Sequence, residues 1–198
     1  MVSVHKYGSV TLLYLPRMKS TFALSALLLF AASVYGADPL TVARLYESQL
    51  RIPEGEVVSL AEAMPLEKYG FAPRNGEFSG VRTFLMQVKH IATTNYMTCS
   101  SVLGEKPPVD PGKGENGPDS IILKDDAVKF LKDSYTYCHK ALGTLTSDNQ
   151  LDMLPSPFGQ GQMARGAIAM VPVWHSFDHY GQMVVYARMS GVVPPASR

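Results

Sequence analysis

The sequence predicts an all-α fold, a four-helix bundle in which a long crossover joins the second and third helices. Apolar residues recur at helical spacing in four segments, and no segment shows a convincing strand pattern. About twenty residues rich in proline and glycine, 104–123, separate the second and third helical segments. Antiparallel neighbours in a bundle are joined by roughly 2–8 residues, so this loop predicts that the third helix runs parallel to the second.

The first 36 residues are predicted to be a leader, which leaves residues 37–198 as the bundle domain. A basic residue, Lys19, precedes an apolar run over 22–32, which is typical of a secretory signal. Met18 offers a second start, so the residues before it are interpreted as a mis-assigned start. The apolar run is shorter than the roughly 20 residues that a membrane span requires.

The end of this leader has the small residues that signal cleavage favours. Val34 and Gly36 occupy positions −3 and −1 of a cut before Ala37. An uncleaved membrane anchor is the alternative interpretation. The sequence therefore predicts a mature chain that is secreted or periplasmic and has no membrane attachment once the leader is removed.

The first predicted helix covers 40–64, where apolar residues such as Val42, Leu45 and Leu50 repeat at helical spacing. Pro53 interrupts the pattern, which leaves open one kinked helix or two shorter ones. The second predicted helix begins at Ser79, a residue type that caps helices, and runs to about Leu103.

The third predicted helix is Asp125–Leu142, with acidic residues in its first turn, where the helix dipole favours negative charge. The fourth is predicted to run from about Gln162 to Met189. Pro172 lies inside it and is expected to bend it one turn before His175.

The two cysteines test the predicted parallel helices. Cys99 and Cys138 each lie four residues before the predicted end of their helix. In parallel helices the two thiols reach the same level, and export permits a disulfide. The sequence therefore favours a Cys99–Cys138 bridge, with two buried free thiols as the alternative.

Histidine spacing raises the question of a metal. His175 and His179 are four residues apart, which places both imidazoles on one face of a helix. By itself, such a pair is more often coincidence than a metal site. Of the other histidines, His5 lies before the predicted secretory signal and His139 lies near a helix end, where an ordinary surface residue is expected. His90, in the middle of the second helix, is the better third ligand.

Five short patterns together resemble the DinB/YfiT-like superfamily, and in particular exported DinB-family proteins. They are Val88-Lys89-His90-Ile91-Ala92, His175-x-x-x-His179-x-Gly-Gln, Tyr186-x-Arg188-x-x-Gly191-x-x-Pro194-Pro195, Ala63-Met64-Pro65-x-x-Lys68-Tyr69 and Gly104-Glu105-Lys106-Pro107-Pro108. The resemblance implies up-down-down-up connectivity and a divalent metal held by His90, His175 and His179. Members of this superfamily include thiol-dependent transferases and a few metal-dependent hydrolases or isomerases.

The resemblance leaves the reaction open, and a metal-dependent hydrolase or transferase that acts on a small substrate is the first functional hypothesis it implies. Three imidazoles leave coordination positions open for water or substrate, and zinc and nickel both suit such ligands. Asp178 and Gln182 are candidates for orienting the ligands or transferring protons, with a solvated helix face as the alternative.

A non-catalytic metal- or ligand-binding bundle is the second functional hypothesis, with a homodimer through apolar helix faces as one form of it. The net charge of +1, with 18% charged residues, gives no reason to expect a nucleic-acid partner.

Overall fold

The computed structural model describes residues 39–77 and 79–198, and within them it confirms the four-helix bundle. The predicted leader and its cleavage site lie outside the described residues. No helix in these two ranges is long and apolar enough to cross a membrane. The helices are α1 (Val42–Ala63), α2 (Phe84–Leu103), α3 (Lys124–Leu142) and α4 (Arg165–Met189).

The contacts between α2 and α3 show that these helices are parallel. Asn95 donates to Ser134 over 3.1 Å, and further along both helices the hydroxyls of Ser100 and Tyr137 are 3.0 Å apart. Residue numbers therefore rise together along the two helices. The parallel direction of α2 and α3 is the arrangement that the length of the crossover predicts.

The other two contacts complete an up-down-down-up arrangement. Glu54 in the middle of α1 contacts His139 near the end of α3 over 2.7 Å, whereas Glu62 near the end of α1 accepts a hydrogen bond on its carbonyl from Lys124 at the start of α3, so these helices are antiparallel. Likewise Arg82, just before α2, accepts a hydrogen bond on its carbonyl from Tyr186 near the end of α4. Helices α2 and α4 are therefore antiparallel, which lets mid-helix residues of both face each other.

The disulfide joins Cys99 to Cys138 at the level where α2 and α3 pack together. The S–S distance is 2.00 Å and the Cα–Cα distance is 5.2 Å, within the range that a bridge requires. Both residues are fully buried. Around them the four helices contribute large buried side chains to one core: Leu50, Val57, Leu60, Phe84, Ile91, Leu131, Tyr135, Leu142, Ile168 and Met183.

Neither internal proline divides its helix. Helix α1 continues through Pro53, so the single-helix alternative holds, and α4 continues through Pro172. Both prolines are buried. Leu45, by contrast, is 46% exposed, so the first helix buries a narrower apolar face than its spacing predicts.

Two helix starts and the expected absence of strands are corrected by the structure. Helix α2 begins at Phe84 instead of Ser79, because Thr83 is the cap and its hydroxyl accepts a hydrogen bond from the amide of Met86. Helix α4 begins at Arg165 because the three residues before it form strand β2 (Gln162–Ala164). That strand pairs antiparallel with β1 (Met153–Pro155).

Candidate metal centre

Three imidazoles from α2 and α4 meet in the middle of the bundle. The Nε2 atom of His175 lies 3.2 Å from Nε2 of His90 and 3.1 Å from Nε2 of His179. The ligating nitrogens of all three residues lie within 4.8 Å of one another. The antiparallel packing of the two helices produces this convergence, since His90 belongs to one helix and the i,i+4 pair to the other.

Two of the rings are fixed by hydrogen bonds on their far side. Nδ1 of His90 is 2.8 Å from the backbone carbonyl of Glu115, and Nδ1 of His179 is 2.6 Å from Oε1 of Gln87. Because a carbonyl oxygen can only accept, both Nδ1 atoms carry the hydrogen. In neutral imidazoles their Nε2 atoms then present lone pairs to the centre.

The environment favours the neutral form of all three imidazoles. Burial, followed by the neighbouring His179 and His90, lowers the pKa of His175 to about 3. Burial and the nearby His90 lower the pKa of His179 to about 4. Burial also lowers the pKa of His90, although its hydrogen bond to Glu115 acts in the opposite direction. Unprotonated nitrogens are the form that binds metal ions.

This donor set fits a divalent transition-metal ion. Ligand bonds of about 2.0–2.1 Å at tetrahedral angles place nitrogens about 3.3 Å apart, close to the two distances observed. The Nε2 lone pairs of His90 and His179 both point at Nε2 of His175. A single hydrogen on that nitrogen can bond only one of the two lone pairs at a time, whereas a metal ion between the three nitrogens would accept from all of them. Nδ1 of His175 is buried and has no hydrogen-bond partner among residues 39–77 and 79–198.

The crossover forms part of this site, which its sequence gives no reason to expect. A short 3-10 turn at Lys113–Glu115 brings the Glu115 carbonyl to His90. Glu115 has φ of 58°, a conformation that costs a residue with a side chain about 1–2 kcal/mol. The turn is fastened by Arg82, whose Nε donates to Oδ1 of Asn116 over 2.8 Å and whose Nη2 donates to the Gly114 carbonyl over 3.0 Å.

The two candidates for supporting roles, Asp178 and Gln182, lie in one series of polar contacts that begins at His179. Gln87 bonds His179 and also donates from Nε2 to Oε1 of Gln182 over 2.9 Å. The amide nitrogen of Gln182 is 3.4 Å from a carboxylate oxygen of Asp178, a weak contact on the exposed side of α4. Gln182 is thus one residue removed from His179, and Asp178 is further out.

Sequence reasoning missed Gln87, Arg82 and Glu115. Gln87 lies three residues before His90, so helical spacing already places both on one face of α2. The part played by Glu115 has no such signal, because it depends on how the loop folds. His139 is not the surface residue expected: its side chain is 21% exposed, and its Nε2 contacts Glu54.

A polar cavity of about 370 Å³ lies beside the supporting residues of the triad, lined by Arg82, Met86, Gln87, Asn116 and Gln182 among others. Gln87 connects this cavity to His179 directly. A small molecule in the cavity therefore contacts a side chain that bonds a member of the triad.

The fold agrees with what comparison with known proteins finds. A profile of the DinB superfamily matches residues 49–183, and the chain belongs to that superfamily. No functionally curated protein matches this sequence.

Several solved structures share the fold at low sequence identity. A DinB-like protein from Bacillus cereus is 16% identical, with a TM-score of 0.59 over 76% of this chain and 93% of that one. A conserved protein from Enterococcus faecalis is 13% identical, with a TM-score of 0.60 over 76% and 98%. YfiT from Bacillus subtilis is 17% identical, with a TM-score of 0.56 over 79% and 93%. YfiT is described as a probable metal-dependent hydrolase with an unusual four-helix bundle topology.

Proposed function

We propose that this protein is a metal-dependent enzyme, a hydrolase or a group transferase acting on a small substrate, with one divalent ion held by His90, His175 and His179. The observation that carries the proposal is the convergence of three Nε2 atoms at 3.1 and 3.2 Å, from two buried imidazoles, His90 and His179, and the partly buried His175. The description of YfiT as a probable metal-dependent hydrolase supports the same class of reaction. Zinc and nickel are the ions that best suit this donor set.

The ligand number supports a catalytic over a structural centre. Three protein ligands leave at least one position of a tetrahedral ion for another group, whereas structural zinc sites are closed by four. When bound, a divalent ion supplies Lewis acidity, which stabilises negative charge that develops on a substrate oxygen.

The chain's own residues hold and orient the ligands of this centre. The Glu115 carbonyl and Gln87 fix two of the imidazoles, so their lone pairs need no reorganisation. Gln182 in turn accepts a hydrogen bond from Gln87, and Asp178 is the last side chain in this series of polar contacts.

An enzyme of this kind needs an open coordination position on the metal, and a metal-binding bundle without activity does not. Testing for that position therefore separates the two hypotheses. Protein loaded with one equivalent of Co²⁺ should change its visible spectrum when azide is added, and the change should saturate at one azide per ion. His139→Ala, which alters a histidine outside the triad, should behave identically. A spectrum that azide leaves unchanged contradicts the enzymatic proposal and leaves the non-catalytic bundle.

We further propose that the protein is exported, as the predicted leader before Ala37 indicates. The buried disulfide supports this location, since such bonds persist mainly in oxidising compartments. Mass spectrometry of the protein from its own host should find Ala37, or a residue beside it, at the N-terminus. A cytoplasmic protein that retains Met1 or Met18 contradicts export.

A further inference from the structure

Two cavities of different character adjoin each other, and the polar one is lined by Gln87, which bonds His179. The polar cavity described above is about 370 Å³. The second is about 260 Å³ and has mainly apolar walls, lined by Pro73, Val81, Gln182, Val185, Tyr186 and Met189. Val81 and Gln182 line both. The two cavities together match a molecule with one polar and one hydrocarbon end.

Arg82 is the cationic residue of the polar cavity, and its guanidinium is only partly engaged. Two of its nitrogens, Nε and Nη2, bond Asn116 and the Gly114 carbonyl, which fixes the plane of the group. Nη1 has no hydrogen-bond partner among the described residues. No carboxylate of residues 39–77 or 79–198 lies within ion-pair distance of this side chain, although Glu115 and Asp178 occur on the flanking segments.

The neighbouring amides favour a ligand with hydrogen-bond acceptors. Both ends of the Gln87 amide are occupied, by His179 and by Gln182. The amide nitrogen of Gln182 has only the 3.4 Å contact with Asp178 and can turn toward the cavity. A fixed guanidinium beside a free amide donor is a suitable arrangement for a carboxylate or a phosphate, which accept several charge-assisted hydrogen bonds.

We propose that the substrate is a small amphiphilic anion: Arg82 binds its carboxylate or phosphate group, and the cavity lined by Val81, Val185 and Met189 holds its hydrocarbon part. This inference rests on the proposed function, because it assigns the substrate class of the same centre. Gln87 lines the polar cavity and bonds His179, so an anion held by Arg82 lies next to the side chains that orient the triad. Arg82 is therefore a binding residue for the substrate.

Binding to the metal-free protein tests this inference separately from the metal. Calorimetric titration of chelator-treated protein should show binding of octanoate or hexyl phosphate at least about tenfold tighter than that of the uncharged octanamide, about 1.4 kcal/mol. Comparing the affinities of octanoate and hexyl phosphate shows whether the site prefers a carboxylate or a phosphate. Because no ion is present, a negative result leaves the metal proposal standing, and a failure of the metal proposal leaves this one testable.

Three variants locate the binding. Arg82→Gln should abolish the preference for the acid over the amide. Arg51→Gln removes a cation from an exposed position of α1 that lines neither cavity, and it should retain the preference. Val185→Asn should weaken octanoate and octanamide to a similar extent, because it changes only the apolar wall.

Wild-type protein provides a measurement that does not depend on the folding of a variant. In NMR spectra, octanoate should shift the side-chain amide of Gln182 and the Nε resonance of Arg82, and octanamide at the same concentration should shift the latter much less. No detectable binding of either acid, equal binding of acid and amide, or an unchanged preference in folded Arg82→Gln overturns the proposal.

Discussion

Gln87 accepts the Nδ1 hydrogen of His179 over 2.6 Å, and this single contact orients an imidazole of α4 from a side chain of α2. The amide of Gln87 is itself held by Gln182. Metal-binding histidines are commonly fixed in this way, and loss of the supporting group typically lowers metal affinity about 10–100-fold. The pair is thus as much a part of the proposed centre as the three ligands.

Gln87→Leu should therefore weaken metal binding about 10–100-fold while leaving the stoichiometry at saturation unchanged. The leucine fills the space but cannot accept the Nδ1 hydrogen, so His179 loses its fixed orientation. Competition with a chromophoric chelator measures the affinity. Gln49→Leu on the exposed face of α1 is the matched control and should bind like the parent. Equal affinities in both variants contradict the role assigned to Gln87.

Gly117→Ala should weaken metal binding more than Gly114→Ala. Both glycines have positive φ, 73° and 64°, so both substitutions carry a similar backbone cost. A Cβ on Gly117 would lie 2.9 Å from Oγ1 of Thr93 on α2, whereas the nearest atom to a Cβ on Gly114 would be Nδ2 of Asn116, 3.6 Å away. Only Gly117→Ala therefore pushes the crossover away from α2. This movement also takes the Glu115 carbonyl away from Nδ1 of His90.

The same chelator competition compares the two glycine variants. We expect the affinity of Gly117→Ala to fall about tenfold or more, the effect of losing a group that orients a ligand. Gly114→Ala should stay near the parent. If the two variants bind equally well, the crossover has no part in holding His90.

The metal-free protein should lose stability as the pH falls from about 6.5 toward about 3. An unfolded imidazole has a pKa near 6.5, while burial holds the pKa of His175 at about 3 and that of His179 at about 4. Between these values the unfolded chain binds more protons. Each imidazole then lowers the free energy of unfolding by about 1.4 kcal/mol per pH unit, and above about pH 6.5 its contribution is fully present.

Urea unfolding of chelator-treated protein at pH 7, 6, 5 and 4.5 measures how the free energy of unfolding depends on pH. His175→Leu removes one buried imidazole, so the free energy should fall less steeply with pH, by the contribution of that one group. A free energy of unfolding that does not change between pH 7 and 5 contradicts the burial of neutral histidines.

Removing the disulfide by Cys99→Ser with Cys138→Ser should cost about 3–4 kcal/mol of stability, since the bridge spans 39 residues of chain. Urea unfolding of the double variant measures the loss, and the reduced parent is the control for the substitutions themselves. Metal stoichiometry should persist, because neither sulfur lies in the site. A loss below about 1 kcal/mol contradicts the chain-entropy account of this bridge.

Much of the site could be predicted because its ligands are fixed by helical spacing. The i,i+4 relation of His175 and His179 holds in any α-helix, and the long crossover determines that Cys99 meets Cys138. The cap of α2 at Thr83 was not predicted, because Ser79 is an equally good cap by residue type and only the turn around Gly80, with φ of 77°, excludes it.

What sequence reasoning could not supply depends on contacts between distant segments. Nothing in the pattern 104–123 indicates that Glu115 returns to His90, or that Arg82 fastens the turn through Asn116. The hairpin of β1 and β2 has strands of only three residues, too short for alternation to be seen. Such features follow from the folded chain and not from local residue preferences.

The proposed metal centre requires that His90, His175 and His179 together hold one divalent ion. Elemental analysis of protein purified without chelator tests it most directly, on the parent, on each of these three histidines changed to alanine, and on His139→Ala. We expect about one zinc or nickel ion per chain in the parent and in His139→Ala, and its loss in the other three variants. A parent without metal, or a His90→Ala variant that keeps a full equivalent, contradicts it.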